Sequence, residues 1–178
     1  MELLKEALTE RGYNTLTSVQ EAVIAPELEQ RDLLVSAETG SGKTVGFGLA
    51  IAPTLLGQSK TFQTANNPLA LVIAPTRELA MQVKQELSWL YRKTGAVIVS
   101  CVGGMDMRDE RRSLSKGAHI VVATPGRLRD HIMRKSLVTE KIGTVVLDEA
   151  DEMLDLGFQE DLEFILEKVP ENRRTLMF

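Results

Sequence analysis

The stretch that decides the fold reads Ala37-Glu38-Thr39-Gly40-Ser41-Gly42-Lys43-Thr44. A short apolar run, residues 32–35, precedes it, and a helical pattern begins at Lys43. In a strand-loop-helix unit of this kind, the glycines let backbone N–H groups turn inward around phosphate oxygens, and the new helix adds its positive end. The lysine can reach the terminal phosphates, and the threonine hydroxyl can ligate Mg²⁺. These residues therefore predict a loop that binds a nucleoside triphosphate with magnesium.

Beyond this phosphate loop, apolar runs alternate with amphipathic stretches along the chain. Strands are predicted at residues 32–37, 69–74, 96–102, 119–123, 144–147 and 175–178. Helices are predicted at residues 2–11, 20–29, 43–55, 77–92, 106–115, 127–134 and 151–168. Doubly apolar strands that alternate with helices indicate an α/β fold, with a mostly parallel sheet covered by helices on both faces. Such sheets bind ligands beyond the carboxyl ends of their strands, so the motifs should meet at one edge.

Composition narrows the class of protein. The chain has 178 residues, 43% of them apolar, and a formal net charge of −4. An acidic balance argues against a simple polybasic nucleic-acid binder, although backbone amides and a few arginines can still contact phosphates. The single cysteine, Cys101, cannot form an internal disulfide, which suits a reducing compartment. The N-terminus does not resemble a signal peptide, and no apolar run could span a bilayer. We expect a cytoplasmic protein with no membrane partner.

A second motif follows the predicted strand at residues 144–147. The chain there reads Val145-Val146-Leu147-Asp148-Glu149-Ala150-Asp151, so an apolar strand carries carboxylates to its carboxyl end. One carboxylate can hold Mg²⁺ against the β- and γ-phosphates, and its neighbour can polarise a water for attack on the γ-phosphate. An acidic run alone is weak evidence, because such residues often cap helices or face solvent. Downstream of a phosphate loop, we favour the catalytic interpretation.

These motifs resemble those of the DEAD-box ATP-dependent RNA helicases of superfamily 2. Residues 148–151 spell D-E-A-D, and three further family segments occur in order: Pro75-Thr76-Arg77-Glu78-Leu79-Ala80, Gly103-Gly104 and Thr124-Pro125-Gly126-Arg127. The resemblance covers essentially the whole chain and is to the N-terminal RecA-like domain of a bacterial member. It implies a RecA-like P-loop core over residues 31–178, preceded by an adenine-recognition segment within residues 1–30.

The resemblance also implies cofactors, partners and site residues. ATP and Mg²⁺ are the implied cofactors, with Thr44 and Asp148 at the metal. Glu149 is the implied general base, acting with Lys43 and Asp148. The implied nucleotide-binding residues are Tyr13, Gln20, Glu38, Thr39, Gly40, Ser41, Gly42, Lys43 and Thr44. The implied RNA-binding residues are Thr76, Arg77, Gly104, Thr124 and Arg127. Arginine forks, hydroxyls and exposed glycine backbone suit phosphates rather than bases, so sequence-independent RNA binding is expected.

The adenine segment, residues 12–20, departs from the family pattern G-F-x-x-P-T-P-I-Q. Leu16 and Ser18 replace its two prolines. Tyr13 can stack on adenine, and Gln20 has the donor and acceptor to bind the adenine edge. Packing of Tyr13 over the first helix is the alternative. Without the prolines, we expect a less rigid loop and weaker adenine selectivity.

Several other residues have more ordinary interpretations. His119 and His131 lie apart from any Cys/His cluster in the sequence, which argues against a metal site at either. Trp89 is expected to pack on its helix. The pair Arg111-Arg112 is expected to form a solvated face, with contact to RNA as the alternative.

Alternatives to the helicase hypothesis stay open at this stage. The family's S-A-T segment and its second RecA-like domain, which would supply arginines at the γ-phosphate, do not occur in the sequence. We therefore expect a monomeric fragment that binds nucleotide with little turnover. A GTPase is disfavoured by the lack of an N-K-x-D motif, while a small-molecule kinase remains a rival. A DNA-directed helicase would show no dependence on the 2′-OH. A non-enzymatic, nucleotide-dependent RNA-binding or docking module is the remaining class.

Overall fold

The computed structural model describes residues 1–38 and 40–178. Its strands are β1 Leu33–Leu34, β2 Ala70–Ile73, β3 Ile98–Cys101, β4 Ile120–Ala123, β5 Thr144–Leu147 and β6 Arg174–Met177. They form one sheet in the order β1-β6-β5-β2-β4-β3, and every pairing is parallel. The predicted α/β fold with a parallel sheet is confirmed, and all carboxyl ends of the strands lie at one edge.

The helices cover both faces of the sheet. Their bounds are α1 Glu2–Glu10, α2 Ser18–Val23, α3 Lys43–Leu56, α4 Arg77–Leu90, α5 Met107–Lys116, α6 Pro125–Met133, α7 Ala150–Asp155 and α8 Gln159–Lys168. Short 3-10 turns occupy Pro26–Leu28 and Arg92–Thr94. Among the described residues, no helix has the length and apolar character needed to cross a membrane.

Three predicted elements were wrong in extent. The first strand, predicted over residues 32–37, pairs only at Leu33–Leu34 before the chain turns into the phosphate loop. The helix predicted over 20–29 ends at Val23, and Pro26, which has no N–H to donate, begins a 3-10 turn instead. The helix predicted over 151–168 is two helices, because the chain reverses at Gly157 with φ 86°.

Alternating strand residues build a core on each side of the sheet. On one side, Val72 and Val146 pack in a cluster with α1, α3 and α4. On the other, Leu71, Ile73 and Val145 pack with residues of α6 and α8. Because successive side chains of a strand point to opposite faces, one apolar run supplies both clusters. The six strands are thereby held as a rigid platform for the loops at their carboxyl ends.

Close packing of α3 on α4 depends on a glycine. A β-carbon built at Gly48 would lie 2.7 Å from Leu90 Cδ2 and 3.0 Å from Leu87 Cδ2, and both leucines are fully buried. The Tyr91 hydroxyl donates to the Gly48 carbonyl at 2.5 Å. At Gly46, two residues earlier, the nearest atom to such a β-carbon is Val23 Cγ2 at 3.5 Å, an ordinary contact.

This difference predicts opposite effects of the same substitution at two positions. Gly46→Ala should gain up to about 1 kcal/mol from helix propensity. Gly48→Ala should lose about 1–3 kcal/mol by overpacking against the two leucines. Urea denaturation of the chain followed by circular dichroism measures both, and the Gly48→Ala midpoint should be the lower. Equal midpoints would show that the interface of α3 and α4 adapts freely.

Candidate nucleotide site and nucleic-acid edge

The sheet divides the predicted site residues into two groups along its carboxyl edge. The phosphate loop follows β1, and Asp148 and Glu149 follow β5, on one half of the sheet. Thr76, Gly104 and Thr124 follow β2, β3 and β4, which are neighbours on the other half. The halves meet where β5 pairs with β2. The order of the strands therefore sets the phosphate-binding candidates beside the nucleic-acid candidates.

The phosphate loop adopts the backbone that its glycines allow. Gly40 and Gly42 have φ values of 82° and 79°, in the left-handed region that other residues rarely occupy. Gly42 precedes α3, which begins at Lys43. Glu38 and Gly40 are exposed, whereas the Ser41 hydroxyl is buried and has no partner among the described residues. Thr39, predicted as a phosphate contact, lies outside the described residues.

Lys43 joins the phosphate loop to the two carboxylates after β5. Its Nζ lies 3.1 Å from Asp148 Oδ1 and donates to Glu149 Oε1. Burial lowers the pKa of Lys43, but the hydrogen bond to Glu149 and the charge of Asp148 outweigh it, so the pKa is raised overall. The ammonium therefore stays charged. Two segments separated by more than a hundred residues in the chain are held by this one cation.

Asp148 is fully buried, and neither of its carboxyl oxygens has a hydrogen-bond partner of normal geometry among the described residues. Burial raises its pKa, and Lys43 opposes this shift. Lys43 is its one charged partner among the described residues, and a buried carboxylate with so few hydrogen bonds is costly, so it points to a ligand that is bound there in function. Carboxylate and hydroxyl oxygens are the ligands that Mg²⁺ prefers, and Asp148, Ser41 and Thr44 supply them on this half of the sheet edge. The residues present therefore fit a divalent cation.

Glu149 carries backbone strain. Its φ of 57° and ψ of 50° lie in the left-handed region, which is unfavourable for a residue with a β-carbon. It precedes α7, and the next residue, Ala150, donates its N–H to the Phe178 carbonyl. Strain of this kind costs on the order of 1–3 kcal/mol and is concentrated at functional sites. It turns the carboxylate of Glu149 toward Lys43.

The adenine segment is fastened to the phosphate loop by hydrogen bonds. Gln20 is only 3% exposed, its Oε1 accepts from Thr17 N at 2.9 Å, and its Nε2 donates to the Gly42 carbonyl at 3.0 Å. Thr17 Oγ1 donates to the Ser41 carbonyl at 2.8 Å and caps α2. A capping box therefore fixes the turn where the family pattern has prolines.

Tyr13 packs against the chain on one ring face. Its ring stacks on that of Trp89, with centroids 5.7 Å apart and planes 2° from parallel. Arg11 lies over the Trp89 ring at 4.8 Å, and Tyr13 remains 49% exposed. Tyr13 therefore packs on Trp89 of α4, whereas the alternative placed it over the first helix, and Trp89 packs as expected. Contact of Tyr13 with adenine stays a prediction.

On the other half of the edge, the predicted RNA-binding residues surround residues 103–105, which we call the glycine loop. Arg77 Nη2 approaches Met105 Sδ at 3.3 Å, and a β-carbon at Gly104 would lie 2.9 Å from Arg77 Nη1. The Thr124 hydroxyl accepts from Gly103 N at 3.4 Å. Thr76 caps α4, accepting from the Leu79 N–H. Arg77 and Thr124 therefore both contact the glycine loop, whereas the Thr76 hydroxyl is bonded within α4.

Arg127 is more deeply placed than a surface arginine. Its side chain is 15% exposed, and Nη1 donates to the Met105 carbonyl and to Glu110 Oε1, both at 2.9 Å. One edge of the guanidinium is thus committed to the protein. Arg127 therefore lies at the carboxyl edge of the sheet and also holds the glycine loop in place.

Glu110 is a residue that the sequence interpretation missed. It is 6% exposed, and its carboxylate accepts from the Val102 N–H at 2.8 Å, from Arg127, and from His131 Nε2 at 2.8 Å. The available signal was its position: it lies one turn before the buried Leu114, on the apolar face of α5. A lone carboxylate on such a face is buried when it has partners of opposite charge.

His131, which lies apart from any Cys/His cluster in the sequence, has neighbours of these types in the fold. The structure brings Cys101, Glu110 and His131 together, with their ligand atoms within 4.8 Å of one another. Residues distant in sequence meet here because α5 and α6 pack beside β3. The carboxylate of Glu110 already has three hydrogen-bond partners, and burial raises the pKa of the Cys101 thiol to about 12. Glu110 and His131 therefore belong to a hydrogen-bond network, and the Cys101 thiol lies beside it.

Most of this chain matches a known protein family. The DEAD/DEAH box helicase family matches residues 17–178. The chain belongs to this helicase family. Family membership removes the GTPase and small-molecule kinase alternatives.

The relatives of this helicase-family chain are bacterial and archaeal. It is 46% identical over 177 residues to the DEAD-box ATP-dependent RNA helicase CshA of Streptococcus pneumoniae, covering 99% of this chain and 32% of that protein. It is 45% identical over 177 residues to the ATP-dependent RNA helicase CshA of Listeria monocytogenes, covering 99% of this chain and 33% of the relative. The chain thus spans about a third of the length of these curated relatives.

A solved structure confirms the fold. The DEAD box protein from the hyperthermophile Methanococcus jannaschii superposes with a TM-score of 0.89 at 35% identity, over all of this chain and 47% of that one. The RecA-like architecture predicted from the motifs is therefore shared with a solved DEAD-box protein.

The bonds of Gln20 generate a prediction about nucleotide binding in this helicase-family chain. Gln20→Ala removes the link to the Gly42 carbonyl, so the phosphate loop loses a support regardless of the base. Binding of ATP and of inorganic tripolyphosphate should both weaken by roughly tenfold, the effect of one hydrogen bond. Isothermal titration calorimetry measures both ligands, with the exposed neighbour Glu21→Ala as the control. Weakening of ATP alone would mean that Gln20 acts on adenine directly.

The network around Glu110 generates a prediction about stability. Glu110→Ala leaves Arg127 and the Val102 N–H buried without their acceptor, and should cost about 3 kcal/mol in free energy of unfolding. Glu110→Gln should cost less, because its amide oxygen still accepts a hydrogen bond. Asp109→Ala, at an exposed position on the same helix, should change little. Urea denaturation compares the three, and a Glu110→Ala midpoint equal to that of Asp109→Ala would contradict the assigned role.

Proposed function

We propose that this chain is the N-terminal ATP-binding domain of an ATP-dependent RNA helicase. Residues 31–178 form its RecA-like core, and residues 1–30 carry the adenine segment. The observation that supports this most is the group formed by Lys43, Asp148 and Glu149 on a chain of the DEAD/DEAH box family. A buried carboxylate paired only with a lysine among the described residues, that charged lysine and a glycine-rich loop are what a Mg-triphosphate requires.

Lys43 changes partner when nucleotide binds, according to this proposal. In the structure it is held by Glu149 and Asp148. Triphosphate oxygens carry more negative charge and attract the ammonium more strongly, so Lys43 moves to the terminal phosphates. The exchange frees the Glu149 carboxylate. The carboxylates thus keep the lysine charged and in place before ATP arrives.

Thr44 and Asp148 are the residues that would hold Mg²⁺. The ion, when bound, offsets the negative charge that develops on the β- and γ-phosphates. The remaining phosphate contacts come from Glu38, Thr39, Gly40, Ser41 and Gly42 of the loop. Tyr13 and Gln20 lie on the adenine side of the proposed site, with Gln20 also supporting the loop.

Glu149 acts as the general base in this proposal. Its side chain is 33% exposed, so water reaches it. Once Lys43 has moved to phosphate, the carboxylate can orient a water and accept its proton as that water attacks the γ-phosphate. Arginines of a second RecA-like domain would complete charge stabilisation, so this chain alone should bind ATP and turn it over slowly.

RNA lies along the other half of the edge in this proposal, with its phosphates contacted by Thr76, Arg77, Gly104, Thr124 and Arg127. The glycine loop lets a strand approach the backbone, and the free edge of each guanidinium can fork onto phosphate oxygens. Such contacts bind RNA without regard to sequence. The second RecA-like domain is the other proposed partner, the chain itself is proposed to be monomeric, and the cytoplasm is the proposed location.

The exchange of Lys43 predicts how Glu149→Gln behaves. The variant loses the base, so hydrolysis should fall by at least about 100-fold in a protein that joins this chain to a second RecA-like domain. ATP binding by the chain itself should be equal or tighter, because a neutral amide competes less for Lys43. Steady-state phosphate release and titration calorimetry measure the two effects.

Lys43→Ala is the matched control for that measurement. It removes the phosphate contact and should abolish ATP binding, and circular dichroism checks its fold because the buried Asp148 also loses its cation. Unchanged hydrolysis in Glu149→Gln would remove Glu149 as the base. Weaker ATP binding in the same variant would contradict the proposed competition between Glu149 and phosphate for Lys43.

A further inference from the structure

A basic groove lies between α5 and the segment that follows α6, away from the phosphate loop. It encloses about 740 Å³, and five of its twelve lining residues are Lys or Arg, while none is Asp or Glu. The five cations are Arg108, Arg111, Arg112, Lys116 and Lys135. The chain as a whole has more acidic than basic residues, 25 against 21. Positive charge is therefore concentrated at this surface against the overall balance.

The helix itself creates this concentration. Arg108, Arg111, Arg112 and Lys116 are separated by three, one and four positions, which places them on one face of α5. Glu110 and Leu114 occupy the opposite, buried face. Packing of that face against the domain turns the cations outward, and all four are exposed.

Such a stripe opposes helix stability. Like charges three and four positions apart repel one another, and Arg108 lies in the first turn, where the helix dipole disfavours a cation. Within the described part of the chain, Arg112 is the one of the five cations that has a carboxylate within ion-pair distance, the exposed Asp109 at 3.8 Å. A local arrangement that costs stability without a compensating contact points to a function. A polyanion would supply the missing contact.

Continuity with the nucleic-acid edge identifies the polyanion. Arg77 and Arg127 both contact Met105 of the glycine loop, and α5 begins two residues later. The ten residues of α5 run roughly 15 Å from that edge, at 1.5 Å per residue. Arginine forks match phosphate oxygens, and spaced arginines along a groove match a strand.

We propose that this groove binds the phosphate backbone of an RNA strand where it continues beyond the glycine loop. The inference rests on the proposed function, because it extends the RNA path from that edge. It assigns Arg111 and Arg112 to RNA contact, the alternative to a solvated face. The groove lengthens the bound stretch of RNA and adds affinity that does not depend on sequence.

Two oligoribonucleotides test the groove, one of about 5 nucleotides and one of about 16, the range of site sizes for small single-strand-binding domains. Fluorescence anisotropy of the labelled strands with the chain at low salt gives both affinities. Arg111→Gln with Arg112→Gln should weaken the long strand by roughly tenfold and reduce its salt slope by about 1.4, the value for two phosphate contacts on a single strand. Binding of the short strand should not change.

The matched control removes the same charge elsewhere. Lys5→Gln with Lys60→Gln alters two exposed cations of the α1 region and should leave both affinities unchanged. Equal weakening of the long strand by this control would mean that net charge alone acts, and would overturn the groove. Unchanged binding of the long strand by the variant with Arg111→Gln and Arg112→Gln would also overturn the groove. If polyglutamate binding then depends on these two arginines, the surface is assigned to an acidic protein.

Failure of the groove and failure of the proposed function remain distinguishable. Arg77→Ala should weaken binding of the short strand. If it does so while the groove variant leaves binding of the long strand unchanged, the proposed edge is supported and the proposed groove is wrong. If the groove variant weakens binding of the long strand while Arg77→Ala leaves binding of the short strand unchanged, the groove is an RNA-binding surface and the proposed RNA contact of Arg77 is wrong. Absence of binding by the long strand overturns the groove, and hydrolysis by Glu149→Gln still tests the proposed function.

Discussion

A buried carboxylate beside a half-buried ammonium is the constraint on which the site depends. Asp148 is removed from water at the end of β5, and Lys43 begins α3, so their approach joins the first motif of the chain to the second. Burial of either charge alone would be strongly unfavourable. The pair is tolerated because each charge neutralises the other. The carboxylate of Asp148 also keeps lone pairs that can bind a ligand. The same contact places the strained Glu149 next to Lys43.

The parallel sheet turns this local contact into a coupled site. Ile73 of β2 pairs in register with Leu147 of β5, and the Asp148 N–H donates to the Ile73 carbonyl at 2.8 Å. β2 leads directly to Thr76 and Arg77, so the carboxylate and the nucleic-acid edge follow the ends of adjacent, hydrogen-bonded strands. This rigid ladder fixes the positions of the two groups relative to one another. The hydrogen bonds of Glu110 and Arg127 extend this rigidity to the glycine loop.

Most of the fold could be predicted from the regular spacing of apolar residues in the sequence. The apolar runs of β2, β4 and β5 are buried on both faces, so their composition alone indicated a parallel sheet. Errors arose where a local signal competed with tertiary context. Pro26 and Gly157 ended helices that periodicity had continued, and β1 kept only two paired residues because the chain leaves the sheet for the phosphate loop.

Contiguous motifs predicted the chemistry: a phosphate loop, two carboxylates after a strand, and arginines and glycines suited to phosphate. These motifs are contiguous, and short-range spacing encodes them. Which groups meet across long separations in the chain depends on tertiary packing. The burial of Glu110 with Arg127 and His131, the seating of Gln20 on the phosphate loop, and the outward stripe on α5 each depend on how helices pack. Packing angles and depths arise from the whole core, so no local pattern of residues contains them.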